Sequence, residues 1–286
     1  MKSFLLTLLV FLAIPIKTYA QYFILPEEDS ESCRGKSKVA KTVVIDTAKH
    51  EIIYLHSYKD KNIEQIKTDY EMLTLGNKFR WYGGYANYQL DSIQRKDPEL
   101  ITQMSGNEYA KFRSKYKTIN DELTIHIEDS VINYYGKVFI NYFKYQEPLP
   151  KFKWILEDES MEIMGYECYK ATTRWRGRDW TAWYCDIPVS GGPWKFNGLP
   201  GLILRLEDAE RTHVFEAIQT KNDIYNFGYK KRSHSKTTRV KYNEALKDYK
   251  ENSRKILQNS GMVKYTTEEI EKYNHSKFFF APIELE

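Results

Sequence analysis

The chain has 286 residues, with 43 Lys and Arg against 39 Asp and Glu, a formal net charge of +4 and a hydrophobic fraction of 42%. Aromatic residues make up 15% of it, among them 23 Tyr, while Gly and Pro number only 14 and 9. This composition excludes a disordered chain, which would bury too little apolar area to offset its ordering entropy, and it excludes collagen-like or low-complexity architecture.

Residues 1–20 read as a secretory signal peptide. Lys2 supplies the positive start, Phe4 to Ile16 form an apolar stretch broken only by Thr7 and Pro15, and Thr18 and Ala20 place small residues ahead of a cleavage point between Ala20 and Gln21. The stretch is too short to cross about 30 Å of hydrocarbon, and Pro15 would break a spanning helix. Removal would take Lys2 and Lys17 and leave 266 residues at a net charge of +2. That near-neutral balance argues against nucleic acid as a partner. No Cys follows the apolar stretch at a lipoprotein cleavage position, and no later apolar run approaches a membrane span. The expectation is a periplasmic or secreted protein of one domain over 21–286, without lipid anchor or transmembrane segment.

Residues 21–38 read as an irregular polar leader carrying Cys33. Strand-type segments then recur at Thr42–Asp46, Ile52–Tyr58, Tyr70–Leu75 and Lys78–Tyr82, each rich in β-branched or aromatic residues. A helical insertion is expected from Ala86 to about Lys115, with Leu90, Ile93, Leu100, Ile101 and Met104 at helical spacing and Asp97-Pro98 marking a restart. Strands return at Leu123–Ile127, Val138–Phe143, Phe152–Leu156, Tyr166–Trp175, Trp180–Ile187, Leu202–Leu206 and His213–Ile218. Helices are expected over Tyr242–Gln258 and Thr267–Tyr273. Short connections favour antiparallel pairing, so the fold class is α+β: a mainly antiparallel, curved, open half-barrel-like sheet with helices from insertions and near the C-terminus.

The segment 154–208 holds five of the six Trp and two of the three Cys. Gly177 suits a two-residue loop joining Tyr166–Trp175 to Trp180–Ile187. A loop at Arg176-Gly177 sets Cys168 opposite Cys185 and Lys170 opposite Trp183; a loop at Gly177-Arg178 makes the cysteines diagonal neighbours. Both registers put the thiols on one face, so a disulfide is expected in an oxidising compartment, with two buried free thiols as the alternative. Farther on, Pro200-Gly201 reads as the centre of a type II turn, with Gly201 at positive φ, launching a strand with Leu202, Leu204 and Leu206 on one face. Gly191, Gly192 and Gly198 fail as a phosphate cradle because no Lys-Ser/Thr pair and no helix follows.

Gly198, Leu199, Pro200, Gly201, Leu202 and Ile203 spell the name motif of the GLPGLI family, exported proteins of gram-negative bacteria with no established activity, and the chain resembles that family. Ile163, Gly165, Tyr166, Cys168, Lys170 and Ala171, then Gly177, Arg178, Trp180, Ala182, Trp183 and Tyr184, then Ile187 and Pro188 look like one family block. The ending Pro282-Ile283-Glu284-Leu285 resembles the family C-terminus. Cys185 is not borrowed from the resemblance, so the disulfide rests on register alone. By analogy the family implies a curved, incompletely closed sheet, like those of lipoprotein carriers, and no mechanism.

His50, His56, His126, His213, His234 and His275 lack metal-ligand spacing, and no catalytic Ser, Cys or cofactor motif is present, so neither a metal nor a cofactor is expected. His126 and Glu128 read as two polar groups on one strand face, suited to cross-strand salt bridges rather than acid–base work, and Arg174, Arg176, Arg178 and Asp179 as a solvated hairpin tip. Residues 221–250 carry nine Lys and Arg against three Asp and Glu, a solvated face that fits peripheral contact with anionic lipid. The ring-rich segment points to a non-enzymatic binding module for an apolar ligand or an envelope protein, with Trp154, Trp183, Trp194 and Phe196 as ligand-binding residues. The alternatives are a periplasmic hydrolase or redox accessory, and a structural or interaction protein.

Overall fold

The computed structural model describes residues 41–60, 63–113, 115–116, 119, 121–261, 266, 268 and 279–286. The expected signal peptide with its Ala20–Gln21 cleavage point, the leader with Cys33, His275 and the helix expected over Thr267–Tyr273 lie outside the described residues or almost entirely so.

The protein is mostly β-sheet. Two antiparallel meanders make one open sheet. The first runs through β2 (His50–Asp60), β3 (Ile63–Leu75), β4 (Phe79–Gly84), β5 (Glu122–His126), β6 (Val131–Val138) and β7 (Asn141–Pro148). The second runs through β8 (Ile155–Ile163), β9 (Tyr166–Trp175), β10 (Arg178–Cys185), β11 (Leu202–Asp208) and β12 (His213–Lys221), and β12 docks on β2 to join the two. A two-residue parallel strand, β14 (Ser235–Lys236), extends β7, giving twelve strands with β14 and β8 as the edges. A separate pair, β1 (Thr42–Thr47) with β13 (Asn226–Lys230), is antiparallel.

The insertion between β4 and β5 forms α1 (Tyr85–Lys96), α2 (Pro98–Gln103) and α3 (Gly106–Arg113). Asp97 makes the expected restart: its Oδ1 accepts from the backbone N–H groups of Glu99 and Leu100 at 3.2 and 3.0 Å, satisfying donors that the new helix leaves open. Helix α4 (Arg239–Asn259) is N-capped by Thr238 and kinks at Asn252.

The hairpin β9–β10 takes the first of the two registers. Trp175 pairs with Arg178, Lys170 with Trp183, and Cys168 with Cys185. Arg176 and Gly177 both have positive φ, 49° and 76°, the conformation that matches a two-residue turn to strand twist. The disulfide Cys168–Cys185 is formed, with Cα atoms 4.2 Å apart, inside the core.

Several expectations are corrected. A strand over Val138–Phe143 is replaced by the turn between β6 and β7: Phe139 sits there at φ 55°, and its aromatic and β-branched neighbours gave the turn a strand-like composition. Gly201 is not at positive φ; that conformation falls to Gly198, at 86°. Gly201 is needed for space instead, because a Cβ there would lie 1.9 Å from the Cys185 carbonyl oxygen. His126 and Glu128 do not share a strand face: β5 ends at His126, which bonds Asp129 at 2.7 Å within the following turn, and Glu128 lies exposed in that turn. At the β9–β10 tip, Arg174 and Asp179 are exposed as expected and pair with each other, but Arg176 is half-buried beside Glu147 and Glu284 and Arg178 is buried on Asp208.

One core covers one face of the sheet, drawing Tyr54, Tyr82, Ile132 and Tyr134 from the first meander and Trp180, Leu204 and Phe215 from the second. A smaller cluster of Ile53, Met72, Trp81 and Phe227 packs under β1 and β13 on the other face.

Candidate functional site

A cavity of about 220 Å³ lies between the sheet, α4 and the segment 279–284. Tyr134, Tyr145, Tyr242 and Trp194 give it aromatic walls, Leu246 and Ile283 aliphatic ones. Gly136 on β6 makes room for the Tyr242 ring, whose hydroxyl oxygen would lie 2.3 Å from a Cβ at that position. Tyr242 then donates to Asp121 Oδ1 at 2.6 Å. Burial pushes the Asp121 carboxyl above its ordinary value, while hydrogen bonds from Tyr242 and Tyr134 pull it back in part.

The two histidines at one side form a chain of hydrogen bonds. Glu71 accepts from the Tyr82 hydroxyl at Oε2 and faces His56 Nδ1 with Oε1 at 2.7 Å. His56 Nε2 lies 3.0 Å from His213 Nδ1, and His213 Nε2 lies 3.2 Å from the Pro282 carbonyl oxygen. A carbonyl only accepts, so His213 carries its proton on Nε2 and its Nδ1 accepts from His56. Burial, then the charges of His56 and Arg178, hold the His213 pKa well below the ordinary imidazole value, in keeping with this neutral form. Both nitrogens of His56 are thereby engaged by protein groups.

The roof segment is clamped by the second meander. Arg178 donates from Nη2 to Pro282 O at 2.8 Å and from Nε to Ile283 O at 3.1 Å, while its Nη1 pairs with Asp208 at 2.8 Å. Leu285 N–H donates to Arg176 O at 3.1 Å, and Phe280 N–H to Asp60 Oδ2 at 2.8 Å. Glu284 accepts from Trp194 Nε1 at 3.0 Å and pairs with Lys195 Nζ at 2.5 Å. Lys195, fully buried, also lies 2.5 Å from Glu147 Oε1, joining the end of β7 to the loop after β10. Arg176 and Arg239 stand 3.5 Å from the other oxygen of Glu284.

Of the four expected ligand-binding residues, Trp194 lines the cavity. Phe196 is buried in a ring cluster with Phe152, Trp154, Trp175 and Trp180, centroids 4.7 to 6.3 Å away. Trp154 donates to Asn197 O at 2.8 Å, fixing the turn that precedes Gly198. Trp183 is buried on β10 beside the disulfide strand. The structure thus brings Trp154 and Phe196 together and places Trp183 apart, none of the three on the cavity wall.

The sequence reading missed His56, Glu71, His213, Glu147, Lys195 and Glu284 as site residues. Lys195 carried a signal: one charge set inside the run Pro193-Trp194-Lys195-Phe196. Among the described residues no group of three or more His, Cys, Asp or Glu is placed to hold a metal ion, and no helix is long and apolar enough to cross a membrane.

A family described as "Protein of unknown function (Porph_ging)" matches residues 176–205, the stretch from the β9–β10 tip through Lys195 to β11. No curated protein matches the chain. Two solved structures of PNGF-II, in space groups C2 and P21, are similar at 16% identity, with TM-scores of 0.46 and 0.47. Each match covers 72% of this chain and 34% of the PNGF-II chain, so this protein spans about a third of those structures' length.

Proposed function

We propose that this chain is an exported member of the GLPGLI family that binds a small, mainly apolar ligand in the cavity beneath residues 279–284, without performing chemistry on it. The observation that carries the reading is a ring-walled cavity whose one lining histidine, His56, is already bonded to protein groups on both ring nitrogens. Trp194 is the ligand contact among the four tryptophan and phenylalanine residues singled out in the sequence. The family match over 176–205 supports the assignment, because that stretch supplies Arg178, Trp194 and Lys195, the residues that hold the cavity's roof. Export rests on the leader sequence, and the formed disulfide suits an oxidising compartment.

A hydrolase is the second reading, favoured by one observation: Asp121, with its raised pKa, lies on the cavity wall. Asp121 is already engaged by the Tyr242 hydroxyl, which keeps binding in front.

Native mass spectrometry of the protein recovered from the envelope fraction tests both parts. The expected result is a chain beginning at Gln21 that carries a small adduct, released on denaturation and absent from the cavity-filling variant Leu246→Trp. A chain that retains Met1 in the cytosolic fraction contradicts export, and an adduct-free protein contradicts the resident-ligand reading.

A further inference from the structure

The charges around the cavity are matched unevenly. Its inner carboxylates have donors: Glu71 has His56 and Tyr82, Glu284 has Lys195 and Trp194, and Asp121 has Tyr242. Two lysines also line it, Lys67 from β3 and Lys250 from α4, and neither makes an ion pair among the described residues. Lys250 is exposed and Lys67 half-buried, which marks their end as the mouth. Lys67 Nζ sits 3.9 Å above the Phe279 ring, so its ammonium is held at the edge of the roof.

We infer that the ligand is a small organic anion whose charged group lies between Lys67 and Lys250 and whose apolar body enters against Trp194, Tyr145 and Tyr134. The inference rests on the proposed ligand cavity and adds the ligand's charge. Two like charges from different elements line one opening, and a bound anion would relieve their repulsion. Burial, then the charge of Lys250, lowers the Lys67 pKa, while Asp69 and Asp60 oppose that shift. Those two carboxylates have their own donors, Tyr58 on Asp69 at 2.6 Å and the Phe280 N–H on Asp60 at 2.8 Å. The inner carboxylates would disfavour an anion deep in the cavity, so the ligand is oriented head outward and ring or chain inward. Lysine suits such a mouth because its ammonium is a compact charge on a stem that can follow the head group.

Isothermal titration of the full chain with phenylalkanoates and short alkanoates, each beside its primary amide, tests the inference. The carboxylates should bind more tightly than the amides and weaken as salt is added. The double variant Lys67→Gln/Lys250→Gln should lose about tenfold in carboxylate affinity, consistent with two partly solvated charge contacts, and shift amide affinity by less than about twofold. Amides binding as tightly as carboxylates, or a carboxylate preference that survives in the double variant, overturns the anion assignment and leaves the cavity reading standing. If neither series binds, or if Leu246→Trp binds both as well as the parent does, the assignment and the cavity reading fall together.

Discussion

The inner wall of the cavity and its mouth use the same side-chain chemistry to opposite ends. Behind the wall residue Glu284, Lys195 is enclosed between Glu147 and Glu284, with Arg176 and Arg239 beyond, so each charge of this cluster faces an opposite one. At the mouth Lys67 and Lys250 face solvent and an aromatic ring. The difference separates stability from function. A desolvated ammonium is tolerated where carboxylates surround it and serves to hold a segment in place, while a partly solvated pair whose nearby carboxylates, Asp60 and Asp69, are bonded elsewhere remains available to a ligand.

The comparison breaks first at Lys195. Lys195→Met leaves Glu147 and Glu284 buried without their ammonium and should cost about 3–5 kcal/mol in urea unfolding; a loss below about 1 kcal/mol would show that the cluster does not hold the roof. Opening the disulfide with Cys168→Ala/Cys185→Ala should cost about 3 kcal/mol by the loop-entropy account, read as a lower unfolding midpoint under non-reducing conditions. Gly201→Ala, which presses a Cβ onto the Cys185 carbonyl beneath the Lys195 loop, should cost about 1–3 kcal/mol. A variant as stable as the parent would mean that the loop and β10 do not approach so closely.

A site away from both ends supplies a pH signature. Burial, then the charge of Asp91, pushes the Glu122 carboxyl up to about 7, while Trp81 Nε1 donates to it at 3.3 Å. Between the unfolded carboxyl value of about 4.3 and that folded value, the native state keeps a proton the unfolded chain has released, so this group's contribution falls as pH rises. His213 acts in the opposite sense: with its folded pKa lowered, stability is lost as pH drops below about 6.5. Glu122→Gln should therefore gain stability relative to the parent from the acid to the neutral side of that window in urea titrations at stepped pH. A constant difference across the window would contradict the assignment. The smallest effect belongs to the mouth, where Lys67→Gln/Lys250→Gln should change stability by less than about 0.5 kcal/mol, as solvated positions do. A larger loss would make those lysines structural.

Local parts of this arrangement were legible in the sequence. Gly177 and the positions of Cys168 and Cys185 limited the β9–β10 register to two choices, and Asp97-Pro98 marked the helix restart because both act through neighbouring backbone. The β6–β7 turn was hidden because Phe139 takes a positive φ that its side chain does not advertise. Asn226–Lys230 went unread since its partner β1 lies far back in the chain and its own burial alternates weakly. The site was beyond reach for the same reason: His56 and His213 are 157 residues apart, and Lys195 and Glu284 are 89 apart, so their pairing depends on how the two meanders close on one another. Of the rings expected to bind a ligand, Trp183 and Phe196 are buried in the core and Trp194 lines the cavity, because tryptophan-rich composition alone does not separate core rings from cavity rings.

The most direct test of a ligand cavity beneath the C-terminal segment is a crystal structure of the protein as recovered from the exported fraction. The account predicts continuous density for one organic molecule among Trp194, Tyr145 and Leu246, with its polar end toward Lys67 and Lys250. Separate water peaks there, unchanged after soaking with the tightest-binding carboxylate, would contradict it.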